Sequence, residues 1–201
     1  IQRTLAHYSG AIIPLIAETG GQNTLIADSS ALLDQLIPDI IQSAFHCAGQ
    51  RCSAFRVAYI QDNIFNDFCF SLKGHMDTLI LGDPCERETD IGPIIDLESV
   101  RKLKKHIDWL DNKGKLIARC PPSGIVDSVL ADRLLAPCAY QIDSITQLRE
   151  ENFGPILHII PFCHDEIQQV LADINHTGYG LTLGLQSRNQ DWLDRIISQV
   201  N

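Results

Sequence analysis

Three polar segments interrupt the apolar pattern of the chain, and each carries a residue type that can do chemistry. The first is Phe45-His46-Cys47-Ala48-Gly49-Gln50-Arg51-Cys52-Ser53-Ala54. A catalytic thiol needs a backbone that lets substrate approach and donors that favour thiolate over thiol, and a glycine and a flanking arginine suit Cys52. A small buried hydrophobe is the alternative for Cys52 from this segment alone. The second, Ile16-Ala17-Glu18-Thr19-Gly20-Gly21-Gln22-Asn23, sets a carboxylate at the end of an apolar run, followed by two glycines. A carboxylate held where hydration is lost becomes basic enough for general-base work near neutrality. A surface acid at the shoulder of a Gly-Gly turn is the alternative for Glu18. The third, Arg149-Glu150-Glu151-Asn152-Phe153-Gly154-Pro155, is a polar entry into an apolar strand, and equally a capped turn.

The other familiar templates are missing. No G-x-G-x-x-G follows a strand, and there is no phosphate loop, G-x-S-x-G elbow or H-E-x-x-H pair, so neither a metal nor zinc hydrolysis is expected. His106 and His176 read as surface or structural residues. The seven cysteines are odd in number and lack a C-x-x-C pair, which fits neither a disulfide framework nor a zinc site. Most of them are expected to be packing residues of a reducing compartment, which makes a cytoplasmic location the default.

These segments must be held by elements that the apolar periodicity outlines. Residues 11–17 and 24–27 read as short buried strands, with Pro14 demoting the first to an edge or an interrupted strand. Residues 33–45 read as a helix, with Asp28, Ser29 and Ser30 as candidate N-caps. A strand is expected over residues 56–60 and a helix capped by Asp62 after it. The clearest amphipathic helix runs from Leu97 to Leu110 behind Asp96, and its face of Arg101, Lys102, Lys104 and Lys105 reads as solvated. Strands are expected at residues 116–118, 134–142, 156–162 and 181–185, and helices around Ile167–Ile174 and Leu193–Val200. Strands alternating with helices imply one α/β domain with a largely parallel sheet, because parallel neighbours need crossovers. With 201 residues, 25 acidic against 16 basic side chains and no apolar run near the roughly 20 residues that span a bilayer, the chain reads as soluble and globular. A net charge of −9 argues against nucleic acid as a partner.

In sequence order, Glu18-x-Gly-Gly, Phe45-x-x-x-Gly-Gln-x-Cys52 and Glu151-x-Phe-Gly-Pro resemble the aldehyde dehydrogenase superfamily. Asp83-Pro84 with Thr89-Asp90-Ile91-Gly92-Pro93-Ile94-Ile95-Asp96, and Gly178-Tyr179-Gly180-Leu181-Thr182, look like two further blocks of that family. Thr19-Gly20-Gly21-Gln22, where many members have Leu-Gly-Gly-Lys, and Gln50-Arg51-Cys52-Ser53-Ala54 are similar to the pyrroline-5-carboxylate (glutamate-semialdehyde) dehydrogenase module of bacterial proline utilization A. The resemblance implies an NAD-dependent oxidation of L-glutamate γ-semialdehyde to glutamate through a Cys52 thiohemiacetal and thioester, with Glu18 as the base that activates water. It implies Glu151 and Phe153 at the nicotinamide ribose and Ser53 at the substrate carboxylate. It also implies that residues 1–201 are the catalytic domain of a longer, homo-oligomeric enzyme. A dinucleotide-binding domain of the same polypeptide and a C-terminal segment would then lie outside the chain, which alone should be inactive. FAD would belong only to a separate proline dehydrogenase domain. Another aldehyde specificity, or a non-catalytic α/β interaction domain, are the competing expectations.

Overall fold

A computed structural model of the chain describes residues 1–122 and 128–200. In chain order its elements are α1 (Gln2–Ala6), β1 (Thr24–Ala27), α2 (Leu33–Phe45), β2 (Val57–Gln61), α3 (Asp62–Met76), α4 (Leu97–Lys113), β3 (Lys115–Arg119), α5 (Ser128–Ala131), β4 (Cys138–Gln141), β5 (Ile156–Phe162), α6 (Ile167–His176), β6 (Leu183–Gln186) and α7 (Gln190–Ile197). Six strands form one sheet in the order β3-β4-β5-β2-β1-β6. Every neighbouring pair is parallel except β3 with β4. This is the helix-flanked, largely parallel α/β sheet that the alternation of strands and helices predicts. Among the described residues no helix is long and apolar enough to cross a membrane.

The central strands are apolar runs because both of their faces are covered. β1 and β2 are buried at every position, and β5 at every position but Pro161. α2 turns Leu36, Ile37, Ile40, Ile41, Ala44 and Phe45 inward, a stripe at helical spacing. It packs with α3 and against β5, and α3 reaches both β2 and β5.

Several boundaries differ from the sequence expectation, each for a local reason. Residues 11–17 form no strand: no strand of the sheet runs beside them, and Ile12 and Ile16 are 99% and 86% exposed. The strand expected over 134–142 is only Cys138–Gln141, because Pro137 has no N–H to enter the ladder. Asp28 does not cap α2, which starts behind Leu32. Its carboxylate instead accepts from the Ser30 N–H and Oγ and from Ser187 Oγ, at 2.8, 2.7 and 2.6 Å, tying the β1–α2 turn to the end of β6. Asp62 is the first residue of α3 rather than its cap. Asp96 caps α4 as expected, accepting from the Ser99 N–H at 2.7 Å, and those bonds lower its pKa. The cysteines are also less buried than their type suggests: Cys47, Cys52, Cys85 and Cys163 are exposed, and Cys120 and Cys138 are buried.

Candidate active site

The parallel register explains how three segments far apart in sequence meet. Thr24, Val57 and His158 stand side by side on β1, β2 and β5. Glu18, Cys52 and Glu151 lie six, five and seven residues upstream of those positions, so all three segments leave the sheet at its amino-terminal edge. Open α/β sheets usually place their ligands at the opposite, carboxyl-terminal ends of the strands.

The thiol loop begins where α2 ends. Cys47, Ala48 and Gly49 have φ of 55°, 52° and 64°, three consecutive left-handed residues. For Cys47 and Ala48 that conformation costs about 1–2 kcal/mol each, so the surroundings must impose it. Gln50 pins the loop to the strap before α4, donating to Pro93 O at 3.2 Å and accepting from the Ile95 N–H at 2.8 Å. Asn23 donates its side-chain N–H groups to Cys52 O and Ala54 O at 2.6 and 2.9 Å. A Cβ on Gly21 would stand 2.8 Å from Cys52 O, so the Glu18 segment runs alongside the thiol loop. Three residues of extended chain span about 10 Å at most, which bounds the distance of the Glu18 Cα from the Gly21 Cα. Cys52 and Ser53 are exposed, as a nucleophile and its neighbour must be to meet a substrate. Glu18 is exposed as well, so within this chain it lacks the desolvation that its sequence position suggests.

Sequence reading offered Arg51 as the cation beside the thiol, but its guanidinium turns back to Gln42 O at 3.1 Å. The cation of the site is Arg56, which is completely buried. It donates to Gly49 O at 2.6 Å and Gly154 O at 3.4 Å through one terminal nitrogen, and to Arg51 O at 3.0 Å and Glu151 Oε1 at 3.3 Å through the other. Its Cζ lies 5.1 Å from the centroid of the Phe153 ring, within cation–π range. Burial pulls the Arg56 pKa down, and Glu151 and the nearby Cys52 pull the other way. An arginine so paired remains a cation at neutral pH.

Behind Arg56 stands a second group that the sequence did not single out. His158, in the middle of β5, is fully buried. Its Nδ1 lies 2.8 Å from Arg56 O, and a carbonyl can only accept, so Nδ1 carries the proton. Nε2 is then an acceptor, which fixes the 2.8 Å contact with His106 Nε2 as a bond donated by His106. Burial, with His106 adding to it, pushes the His158 pKa down to about 3, and burial pushes His106 down to about 4. Both rings are therefore neutral at pH 7. His106 stacks on Trp109, so it is the structural residue its type predicts, with a specific partner.

Glu151 and Phe153 open onto a groove of about 650 Å³, whose far wall on α4 includes Ser99, Lys102 and His106. That volume lies within the range of small-molecule sites. Phe153 is 42% exposed, and the Glu151 side chain only 13%. A Cβ on Gly20 would stand 2.5 Å from Glu151 Oε2, so the Glu18 segment passes close against the carboxylate. Arg101, Lys102, Lys104 and Lys105 of α4 are exposed, as expected of a solvated face, and Lys102 pairs with Glu98 at 2.8 Å. Among the described residues no group of three histidine, cysteine or acidic side chains is placed to hold a metal ion.

Asn23, Arg56 and His158 thus complete the site, and all three had sequence signals of a kind. Asn23 and Arg56 are polar residues at the very start of apolar strands, and His158 interrupts one; burial of such residues requires partners.

The chain matches the aldehyde dehydrogenase family over residues 1–201. It is 38% identical over 205 residues to the bifunctional protein PutA of Escherichia coli K12, covering all of this chain and 15% of that protein. It is 31% identical over 182 residues to the 1-pyrroline-5-carboxylate dehydrogenase of Bacillus subtilis, covering 90% of this chain and 34% of the other. Among solved structures, a Bradyrhizobium japonicum proline utilization A variant superimposes with a TM-score of 0.90 at 40% identity, over 99% of this chain and 20% of the other. The chain therefore spans between about a seventh and a fifth of the length of the PutA proteins it matches. A whole-length family match and the same fold in solved relatives lead to one assignment: the chain belongs to the aldehyde dehydrogenase family.

Proposed function

We propose that this chain is the thiol-bearing catalytic domain of a longer NAD-dependent dehydrogenase that oxidises L-glutamate γ-semialdehyde to glutamate in proline catabolism. The observation that carries the reading is the convergence of the exposed Cys52, the Glu18 segment and the Glu151–Phe153 arm at one edge of three adjacent parallel strands. The PutA and pyrroline-5-carboxylate dehydrogenase relatives support the substrate class.

Cys52 Sγ would attack the aldehyde carbon, forming a C–S bond and an oxyanion that the Cys52 backbone N–H helps to hold. Asn23 holds the carbonyl of the following peptide, Cys52 O, at 2.6 Å, and so limits how the Cys52 backbone can turn. Glu151 would accept hydrogen bonds from the nicotinamide ribose, and the exposed Phe153 ring offers the same end of the cofactor an apolar wall. The adjoining groove gives these side chains room for such a group. Bound there, the nicotinamide supplies the hydride acceptor. In the acyl state Cys52 Sγ is a good leaving group, and Glu18 would take the proton of the water that attacks the thioester carbon. The Ser53 hydroxyl, beside the nucleophile, would donate to the substrate α-carboxylate.

The test is steady-state NAD reduction with glutamate semialdehyde in the full-length polypeptide. Cys52→Ala is expected to abolish turnover. Glu18→Gln is expected to accumulate the acyl-enzyme, visible by mass spectrometry as an adduct on Cys52. Turnover by Cys52→Ala at the wild-type rate overturns the reading in favour of a non-catalytic module. The 201-residue chain alone is expected to be inactive: the family resemblance puts a second oxyanion donor in the dinucleotide-binding domain, and loss of one such donor already costs about 10²–10³ in rate.

A further inference from the structure

Arg56 touches both halves of the site and has no role in the chemistry above. Its side chain is wholly buried, yet its fork spans two segments distant in sequence. Toward the thiol loop it donates to Gly49 O and Arg51 O, three residues and one residue before Cys52. Toward the cofactor arm it holds Gly154 O and Glu151 Oε1 and lies against Phe153. Its own backbone carbonyl is doubly held, by the His158 N–H at 2.9 Å and the His158 ring at 2.8 Å. The backbone from which the guanidinium projects is therefore fixed.

We propose that Arg56 is a positioning residue that registers the thiol loop against the Glu151 arm, so that one buried cation sets where nucleophile and ribose-binding carboxylate stand relative to each other. The proposal rests on the roles given above to Cys52 and Glu151. Its physical basis is the planar guanidinium, which serves both segments at once; an ammonium is a point charge that can sit on one side only. Without the fork, Glu151 is free to turn into the groove, and Gly49 O and Arg51 O lose the donor that opposes the left-handed strain at Cys47 and Ala48. Displacements of about 1 Å are enough to cost on the order of 10²-fold in a reaction that depends on alignment.

The experiment is Arg56→Lys in the full-length polypeptide, read by two quantities that a purely structural role leaves alone. The KM for NAD is expected to rise about tenfold. The rate of Cys52 alkylation by iodoacetamide without cofactor is expected to change at least about threefold. Glu151→Gln should raise the KM for NAD and leave alkylation unchanged. In the Glu151→Gln background, Arg56→Lys should add no further rise in KM but still change alkylation. A lowered melting temperature with both quantities at wild-type values overturns the proposal. Should Arg56→Lys fail to fold, Arg56→Gln decides: it keeps a planar donor but loses the charge and the second arm of the fork, and a wild-type KM for NAD overturns the proposal. Failure of the underlying reading looks different, because Cys52→Ser would then retain turnover whatever Arg56 does.

Discussion

Residues 11–17 (Ala-Ile-Ile-Pro-Leu-Ile-Ala) and 156–162 (Ile-Leu-His-Ile-Ile-Pro-Phe) have nearly the same make-up, three isoleucines, a leucine and a proline in seven positions. One is an exposed arm without regular structure, and the other is the central strand β5. The difference lies in their neighbours. β5 has β2 on one side and β4 on the other, so its backbone groups are paired and its side chains covered. Its proline falls where that pairing ends. The His158 N–H points to β2, so residue 161 faces the β4 side, just past the last bond there, from the Ile142 N–H to Ile159 O. Apolar character makes a strand possible; a partner on each edge makes it one.

The contrast can be broken or sharpened by measurement. The largest effect should come from β5: Leu157→Ala, at a completely buried site, is expected to cost about 2–5 kcal/mol in urea unfolding. A smaller and pH-dependent effect should come from the histidine pair that crosses β5. Both rings titrate below their unfolded value of 6.5, His106 at about 4 and His158 at about 3, so the unfolded chain binds more protons across that interval. Stability is therefore complete above pH 6.5 and falls as the pH drops towards 4, with His106 contributing up to about 3 kcal/mol of the loss. His106→Gln, which keeps a donor for His158 but does not titrate, is expected to flatten that acid limb of the melting profile. The smallest effect belongs to the arm. Ile16→Ala should change stability by no more than about 0.5 kcal/mol, and limited proteolysis should cut within residues 11–17 before it cuts β5. Equal costs for Leu157→Ala and Ile16→Ala would erase the distinction between the two runs.

The legible parts of the sequence were those governed by local periodicity and capping. β1, α2 and β5 fall where the apolar spacing puts them, and Asp96 caps α4 because its side chain needs only the third N–H beyond it. The candidate residues Cys52, Ser53, Glu18, Glu151 and Phe153 could be named from motif resemblance. Their supports could not. Nothing in the order of residues shows that Arg51 turns away to Gln42 O while Arg56, four positions after the thiol, reaches 95 residues onward to Glu151. Asp28 reads as a helix cap, and only the arrival of Ser187 from β6 makes it a clasp between two strand ends.

Sequence alone determined the central strands and their flanking helices, the acidic character and the family motifs, because each depends on side chains within a few residues of one another. The tertiary structure decided which edge of the sheet gathers those motifs, which arginine stands at their centre and which apolar run stays outside. Those outcomes depend on parallel register and burial, which exist only once distant segments lie side by side.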